Sequence, residues 1–514
     1  MSIFSLSNRI MAGLAIYFLT MNIASAAPAG ASTTKSNLTI IDDESTAVCT
    51  LADLQNVRNN LAGKYVQTCN IDMASVSSWK AIGDRNTPET ETGYPERNFD
   101  AFTGSFNGNG KTISNLNSPT GLFAHIKGSV SRVNFVAANI YNNPSIKIYG
   151  KVGVLARQNS GAIDNIKVSG KIQASNMNYV GTLVGFNEGT IKNSSSSATV
   201  LDVSGAFTNS ALLNNGIKGL GGLVGYNSSV ISDSFFSGVI NGGSADVGGL
   251  VGSQYTSTTA YTTQPPKLAK TIRSYSSGSI VSNATAYSVG GLIGTAGGTA
   301  SYLFPVVQDS NFTGTVKGGT NVGGIIGLAN GSNFQILNSF SKGNITATNT
   351  EVGGMVGRSQ NLTTVEHSYS KAVVTSESGS AAGIVGNAFN GGVTISNSYF
   401  AGTVDSRSVS AGFIATATGL AKDRRPSSFI NSYSSGVLRG NVLGGLLPTA
   451  LHNYNGNGMF NDSNCYWDIE TSGTTSSTIG VGLPTSQMIA QASYQNWDFV
   501  MTWMMLAGKN PQLR

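Results

Sequence analysis

A short phrase of apolar residues and glycines recurs along most of the chain. Its clearest form is Val-Gly-Gly-Leu-Val-Gly, as at Val247–Gly252. Apolar residues at alternate positions are typical of short β-strands, and no unit shows the 3.6-residue periodicity of a helix. Copies follow one another roughly every 30 residues, a spacing that indicates a repeat architecture. The copies begin at Val152, Val180, Leu220, Val247, Val289, Val322, Val352, Ala381, Ser410 and Leu443.

A second phrase follows most copies and places an aromatic residue beside a serine, as in Ser234–Ile240 and Ser339–Ile345. Each unit therefore contains at least two short strands separated by glycines, and usually a third between them. One unit of this size cannot bury its own apolar face, so successive units are expected to stack and pair in parallel. The pattern predicts an all-β fold, a parallel β-helix of about ten coils.

Two columns of residues are predicted to face the core of this helix. The aromatic column has a second interpretation, a ligand-stacking strip like those of carbohydrate binders, but its phase follows the repeat and favours a ladder in or beside the core. Asparagines before the serine, such as Asn338, predict an inward or corner ladder. The aliphatic column comprises Leu183, Leu223, Leu250, Leu292, Ile325, Met355 and Ile384, and the aromatic column comprises Phe235, Tyr275, Phe312, Phe340, Tyr369, Tyr399 and Tyr433.

The two ends of the repeat array are expected to be capped, because exposed strand edges invite aggregation. Thr50 and Asp53 predict a capped helix that continues through Leu61, and Thr485–Ser493 predicts a short helix at the other end. The predicted organisation is a signal peptide over 1–26, a flexible segment over 27–45, an N-terminal cap over 46–118, repeat coils over 119–463 and a C-terminal cap over 464–514.

The first residues have the pattern of a secretory signal peptide. Arg9 precedes the apolar run Ile10–Leu19, and Ala24–Ala26 offers a small-residue cleavage site. A membrane anchor is the alternative, although the run is short for a span of about 20 residues. We therefore expect an exported protein, located outside the cell, at its surface or in the periplasm, with no transmembrane span in the mature chain.

Composition excludes several classes of protein. Glycine contributes 64 of 514 residues, charged residues contribute 11% and hydrophobic residues contribute 40%. This chain is too apolar for intrinsic disorder, too poor in charge for a coiled coil and too poor in proline for collagen. The net charge is +6, but the basic residues are scattered, so nucleic acid is not an expected partner.

Three cysteines fit an exported protein. Cys49 and Cys69 lie close in sequence, whereas Cys465 is distant from both. Export favours oxidation, so a Cys49–Cys69 disulfide is predicted, with three isolated thiols as the alternative. Without a Cys-x-x-Cys pair or clustered histidines, no zinc site is predicted.

The repeated phrases resemble GLUG-motif repeats, which occur in bacterial exported and surface proteins and N-terminal to a group of immunoglobulin-A-cleaving metallopeptidases. This resemblance implies a right-handed parallel β-helix and an exported, often adhesin-like role. It transfers no catalytic residue, because those peptidases need a His-Glu-x-x-His motif and Glu366-His367 is the nearest approach here. The resemblance extends to Ala52–Leu54, Phe102–Gly104 and Phe106–Ile113 near the start and to Tyr466–Asp468 and Trp497–Phe499 near the end.

The sequence shows no recognisable catalytic set, and no cofactor or metal ligand is predicted. The enzyme alternative is a polysaccharide lyase or glycoside hydrolase, which needs paired carboxylates or a base with a cation. Asp233 and Asp309 occupy equivalent repeat positions, and solvated surface charge is the simpler interpretation of all such groups. A candidate ligand-binding or catalytic corner comprises Asp405, Asp423, Arg424 and Arg425.

The favoured interpretation is a secreted or surface-associated, adhesin-like binding protein that contacts glycan, matrix or a cell surface. Long insertions follow the glycine phrase in three units, at 253–270, 295–307 and 416–428. Because they leave the coil at equivalent points, they are expected to project from one corner, where solenoids often carry binding surfaces.

Overall fold

The computed structural model describes residues 44–85, 99–141, 150–174, 177–202, 219–242, 245–256, 267–282, 286–298, 304–331, 333–390, 392–418, 426–449 and 460–514. These residues belong to one compact unit. The predicted signal peptide and nearly all of the predicted flexible segment lie outside them.

Complete coils contain five short strands, more than the two or three that the sequence predicts. In one coil these strands are Ser288–Gly290, Ile293–Gly298, Val306–Gln308, Asn311–Phe312 and Thr315–Gly318. Each pairs in parallel with the equivalent strand of the next coil. The chain is therefore a parallel β-helix, and its five strand positions define, in order, sheets 1, 2 and 3 and columns 4a and 4b of sheet 4.

Sheets 1 and 2 meet at the corner formed by the glycine phrase. Among the described residues, sheet 1 has ten strands, one for each predicted copy of the phrase. They are Lys151–Val152, Tyr179–Gly181, Gly219–Gly221, Asp246–Gly248, Ser288–Gly290, Val322–Gly323, Val352–Gly353, Ala381–Ala382, Val409–Ala411 and Val442–Gly444. Sheet 2 comprises Ala101–Phe102, Phe123–Ile126, Ala156–Asn159, Val184–Asn187, Val224–Asn227, Val251–Thr256, Ile293–Gly298, Ile326–Gly331, Val356–Gln360, Val385–Phe389 and Ile414–Thr418.

Sheet 3 begins before the repeats. Its first strand pairs with its second, and the second pairs with its third, so the segment predicted as an N-terminal cap already contributes to the coils. Sheet 3 comprises Thr46–Val48, Lys64–Gln67, Ser105–Asn107, Ser129–Ser131, Ala162–Asp164, Thr190–Lys192, Val230–Ser232, Lys270–Ile272, Val306–Gln308, Phe334–Leu337, Thr363–Glu366, Val393–Ser396, Ser427–Ile430 and Phe460–Ser463.

Columns 4a and 4b lie side by side, joined by the long strands Asn134–Tyr141 and Lys167–Ala174, which belong to both. Column 4a also contains Ile71–Asp72, Thr112–Ser114, Ser195–Ser196, Phe235–Phe236, Tyr275–Ser276, Asn311–Phe312, Phe340–Ser341, Tyr369–Ser370, Tyr399–Phe400, Tyr433–Ser434, Tyr466–Asp468 and Val481–Leu483. Column 4b also contains Asn117–Ser118, Thr199–Asp202, Val239–Gly242, Ser279–Ser282, Thr315–Gly318, Asn344–Ala347, Val373–Ser376, Thr403–Ser406 and Val437–Arg439.

The glycines of the repeated phrase allow sheets 1 and 2 to approach each other closely at their corner. A Cβ on Gly290 would overlap the carbonyl oxygen of Ile293 and lie 2.9 Å from the nitrogen of Gly327 in the next coil. Gly248 meets the same obstacle one coil earlier. Because backbone atoms occupy this space, the phrase requires glycine for steric reasons.

The core is filled by the predicted aliphatic column and by rings from column 4a. The aliphatic column is fully buried along its whole length, which confirms that prediction. Phe236, Phe312 and Phe400 are also fully buried, and coils between them carry serine at this position, as at Ser276. Small residues therefore make room for large rings in neighbouring coils.

The corner between sheet 3 and column 4a places one residue of each repeat coil in the left-handed region. Asn193, Asn338, Asn397 and Asn431 occupy this corner with φ between 45° and 49°. Asparagine and aspartate tolerate this conformation better than other residues with a side chain. The predicted asparagine ladder is thus a corner ladder.

A buried serine follows each of these corner residues in most coils. The backbone N–H of Ser339 donates to Oγ of Ser368 at 3.0 Å, and that of Ser368 donates to Oγ of Ser398 at 3.1 Å. Each hydroxyl donates to the carbonyl two residues earlier. Cys465, a free buried cysteine, continues the column beyond the last serine, and its thiol donates to the carbonyl of Ser463.

The N-terminal helix is shorter than predicted. Thr50 and Asp53 form a capping box at the start of the α-helix Leu51–Asn56, and the 3₁₀ turn Val57–Asn59 follows. The predicted continuation through Leu61 is wrong, because the chain turns back there to enter sheet 3.

The C-terminal segment packs against the last coils. It contains the α-helices Ile469–Ser472 and Thr485–Met488, the 3₁₀ turn Gln491–Ser493, and an antiparallel pair of strands, Trp503–Met504 with Gln512–Leu513. The second predicted helix thus forms in two pieces. No helix in the described ranges is long and apolar enough to cross a bilayer.

Candidate ligand-binding strip

Three neighbouring columns of outward-facing side chains run along sheet 4, and we call them the outer strip. In one coil they are represented by Phe235, Ser237 and Val239. Parallel pairing stacks equivalent residues about 4.8 Å apart. The first column comprises Thr112, Asn134, Lys167, Ser195, Phe235, Tyr275, Asn311, Phe340, Tyr369, Tyr399 and Tyr433. The second column comprises Ser114, Val136, Ser169, Ser197, Ser237, Ser277, Thr313, Lys342, Lys371, Ala401 and Ser435. The third column comprises Asn117, Asn139, Lys171, Thr199, Val239, Ser279, Thr315, Asn344, Val373, Thr403 and Val437.

Aromatic rings of the first column stack on the outside of the sheet. The rings of Phe235 and Tyr275 lie 4.8 Å apart with planes at 3°, and those of Phe340 and Tyr369 lie 5.1 Å apart at 7°. The prediction that this column faces the core is wrong for these four residues. Each is the first residue of a two-residue strand and points outward, because the second residue of the strand points into the core. Phe312, one position later in its coil, is the member that faces the core.

The C-terminal end of this ring ladder is covered. Tyr399 stacks on Tyr369 at 4.9 Å and on Tyr433 at 5.1 Å, but Trp503 packs against both Tyr399 and Tyr433. The hydroxyl of Tyr433 donates to the carbonyl of Pro511 at 2.6 Å, and burial raises the pKa of Tyr433 well above its usual value. Solvent therefore reaches the part of the ladder that lies N-terminal to these covered rings.

An open depression of about 570 Å³ adjoins the first ring of the ladder. One face of Phe235 stacks on Tyr275, and the other is turned toward Ser195, which occupies the same column in the preceding coil and supplies no ring there. An aromatic ring face beside hydroxyl, amide and ammonium groups is a suitable platform for a sugar ring. The polar lining comprises Thr112, Asn134, Lys167, Ser169, Ser195, Ser196, Ser197 and Ser237.

A β-bulge lies in the coil next to this depression. Ala137 has φ of 53°, and the pairing of its strand with Lys167–Ala174 shifts between Phe135 and Ala138. A bulge bends its strand and increases the local twist. Val136 is left 45% exposed at the edge of the depression.

The outer strip is basic. None of its three columns carries aspartate or glutamate, whereas Lys167, Lys171, Lys342 and Lys371 are all exposed on it. Within the described part of the chain, no carboxylate lies within ion-pair distance of these four ammonium groups. The strip therefore presents unneutralised positive charge.

Two of these lysines lie against rings of the ladder. The Nζ of Lys342 is 4.5 Å from the ring centroid of Phe340, and the Nζ of Lys371 is 5.4 Å from that of Tyr369. Partial burial, followed by repulsion from Lys342, lowers the pKa of Lys371. Such cation–π contacts hold the ammonium groups close to the aromatic rings.

Of the predicted corner of charged residues, Asp405 alone lies within the described residues. Asp405 is exposed on column 4b, in register with Thr375 and Arg439. The other three members, Asp423, Arg424 and Arg425, lie outside the described residues.

Asp233 and Asp309, the other pair of carboxylates considered, belong to the left-handed corner, with φ of 52° and 50°. Arg273, from the coil between them, donates to both carboxylate oxygens of Asp233 at 2.6 and 2.8 Å. Asn338 donates to Asp309 at 3.1 Å. These contacts explain both aspartates as parts of a structural ladder.

A second cluster of aromatic side chains lies on sheet 2, beside the corner formed by the glycine phrase. Phe186 stacks on Tyr226 with centroids 4.6 Å apart. Nearby, the buried carboxyl group of Asp246 accepts hydrogen bonds from Ser253 at 3.1 Å and from Thr295 at 2.7 Å. Burial raises the pKa of Asp246 to about 6, although these hydroxyls lower it.

The structure pairs Cys49 and Cys69 as a disulfide with Cα atoms 4.5 Å apart. In the described ranges, no group of three histidine, cysteine, aspartate or glutamate side chains is arranged to hold a metal ion.

Sequence reasoning missed the depression and the basic character of the strip. Both depend on which positions of successive coils share a column, and the insertions between copies hide that alignment. The column alignment can be recovered by counting from the serine of the second phrase. Lys342 lies three residues after Ser339, and Lys371 lies three residues after Ser368.

No protein-family model matches the chain, so the GLUG assignment remains a resemblance. Halomucin from Haloquadratum walsbyi is 33% identical over 183 residues, a match that covers 35% of this chain but 2% of halomucin. A crystal structure of a Bacteroides ovatus protein, provisionally named an immunoglobulin A1 protease, aligns over 91% of both chains at 15% identity. Its TM-score of 0.27 supports no argument about function.

Proposed function

We propose that the chain is an exported, surface-associated protein that binds polysaccharide along the outer strip without altering it. The observation that carries this proposal is the free ring face of Phe235 at the depression. Pyranose rings stack their apolar faces on aromatic rings, while neighbouring hydroxyl and amide groups fix their orientation.

Three features support export and a surface location. The sequence predicts a signal peptide, and disulfides such as Cys49–Cys69 persist in oxidising compartments. The similarity to halomucin is in keeping with a place at a cell surface, although it concerns a small part of that protein.

Binding of the purified chain to a glycan array, to cells and to matrix tests the proposal. Phe235→Ala removes the free ring face, and we expect it to weaken binding at least fivefold, a loss of about 1 kcal/mol. Phe186→Ala is the matched control, because Phe186 is also a half-buried stacked ring but lies away from the outer strip. We expect Phe186→Ala to retain binding.

Equal losses of binding in Phe235→Ala and Phe186→Ala would overturn the assignment of the binding site to the outer strip. Absence of binding to every glycan, cell and matrix sample would overturn the function itself. Size analysis of the bound polysaccharide should show no shortening, and cleavage by the wild-type chain would contradict a role confined to binding.

A further inference from the structure

We propose that the ligand of the outer strip is an acidic polysaccharide, carboxylated or sulfated, which lies along the strip across successive coils. This inference rests on the proposed function and adds the chemical class of its ligand. It follows from charge complementarity between the strip and a polyanion.

The charged side chains of the strip are all positive. A polysaccharide placed along its three columns meets Lys167, Lys171, Lys342 and Lys371 and no carboxylate. Elsewhere on the described surface, cations such as Arg273 and Lys317 are paired with Asp233 and Glu377. The four strip lysines are thus available to carboxylate or sulfate groups of a ligand.

The spacing of these lysines requires an extended ligand. Lys342 and Lys371 belong to adjacent coils, whereas the coils of Lys167 and Lys342 are five steps apart. At about 4.8 Å per step, the two lysine pairs lie roughly 24 Å apart. A short oligosaccharide can reach one pair, and a longer chain can contact both pairs together with the depression at Phe235.

An acidic polysaccharide fits the strip better than nucleic acid does. Duplex DNA carries one charge per roughly 1.7 Å of its axis, and proteins that bind it match this density with many basic groups. The strip offers four lysines and no arginine, and its other exposed positions combine serine, threonine and asparagine with four valines and one tyrosine. The polar side chains suit the hydroxyl groups of a sugar polymer, and the apolar ones suit the apolar faces of its rings.

Two forms of galacturonan test the effect of ligand charge while the sugar backbone of the ligand stays the same. Polygalacturonate and its fully methyl-esterified form share one sugar chain, and only the first is acidic; alginate, hyaluronate and heparin extend the acidic panel, and dextran extends the neutral one. We expect at least one acidic polymer to bind, about tenfold more weakly at 0.5 M than at 0.05 M salt, because added ions screen the attraction. With the acidic polymer that binds, affinity should rise in a step once its oligomers span both lysine pairs.

Two double variants test the lysines directly. Lys342→Gln with Lys371→Gln, and Lys167→Gln with Lys171→Gln, should each weaken acidic binding about fivefold or more. The matched control, Lys127→Gln with Lys192→Gln, alters exposed lysines outside the strip and should change binding less than twofold. Thermal unfolding should show that every variant folds. Only the Lys342/Lys371 variant, which loses two cation–π contacts, should unfold at a slightly lower temperature than the wild type.

The outcomes distinguish this inference from the function on which it rests. If neutral and acidic polymers bind equally and the lysine variants bind like wild type, the acidic class is wrong while a loss on Phe235→Ala still supports the site. If duplex DNA binds more tightly than every acidic polysaccharide, the proposed ligand class is also overturned. If no polysaccharide binds and Phe235→Ala changes nothing, both proposals fall.

Discussion

Tyr275 and Phe340 occupy the same column of the outer strip two coils apart, with Asn311 between them. Asn311 interrupts an otherwise continuous aromatic ladder. Asn311→Tyr should join the two halves, because its ring can stack on both neighbours, and each new aromatic pair is worth about 0.5–1.5 kcal/mol. Calorimetry should show a higher unfolding temperature for this variant.

Asn311→Ala is the control for that substitution, since it removes the amide without supplying a ring. We expect no increase in its unfolding temperature. A lower unfolding temperature for Asn311→Tyr than for wild type would contradict the view that this column accepts a ring in every coil.

The glycine corner should not tolerate a methyl group. Gly290→Ala places a Cβ against the carbonyl group of Ile293, and the backbone of the coil must shift to relieve the overlap. We expect a loss of stability of about 3 kcal/mol or more, a size typical of severe backbone disruption. Gly473→Ala is the control, because Gly473 has φ of 69° but nothing within 4 Å of an added Cβ; it should cost about 1 kcal/mol. Similar losses in both variants would argue against a steric role for the repeated phrase.

The serine ladder should depend on its buried acceptors. Ser368→Ala leaves the backbone N–H of Ser339 without its partner, and an unsatisfied buried donor costs about 1–3 kcal/mol. Ser368→Cys should lose less, because Cys465 already occupies the equivalent position at the end of the column. Ser277→Ala, at an exposed position, should change the unfolding temperature little. An unchanged unfolding temperature for Ser368→Ala would contradict the proposed importance of the ladder.

The buried carboxyl group of Asp246 should make stability depend on pH. Its pKa is raised from 3.8 to about 6 by burial. Between these values the folded state binds more protons than the unfolded state, so the free energy of unfolding decreases as pH rises from about 4 to about 6. Asp246→Asn removes the free-energy cost of burying an ionised carboxylate. This variant should therefore unfold at a higher temperature than wild type at pH 7.5, with little difference at pH 3.

Asp405→Asn serves as the control for this pH effect, because Asp405 is exposed. It should follow the wild-type pH profile. A profile for Asp246→Asn that also follows the wild type across this range would show that the buried carboxyl group does not carry the effect.

The fold was predictable because its determinants are local and repeated. The glycine phrase brings Gly290 and Leu292 to fixed places in each coil, one at a steric corner and one in the core. Repetition allows each copy to support the interpretation of the others. Strand number was underestimated because strands such as Asn311–Phe312 have two residues and leave no alternation to recognise.

The orientation of the aromatic column was not predictable from residue type alone. A shift of one residue moves a side chain to the other face of a strand, and Phe312 differs from Phe340 by one such shift relative to the preceding serine. The outer strip was missed for a different reason, because Lys167 and Lys342 fall on one strip only when all the coils between them are aligned, and insertions of unequal length hide that alignment. Charge complementarity emerges from that alignment and not from any single motif.

Lysine footprinting during ligand binding shows whether an acidic polysaccharide lies along the outer strip. The purified chain is acetylated with and without the acidic polysaccharide that binds it, and mass spectrometry measures modification at each lysine. We expect the ligand to protect Lys167, Lys171, Lys342 and Lys371, while Lys127 and Lys192 react as before. Protection centred on lysines outside the outer strip, or no protection at saturating ligand, would contradict it.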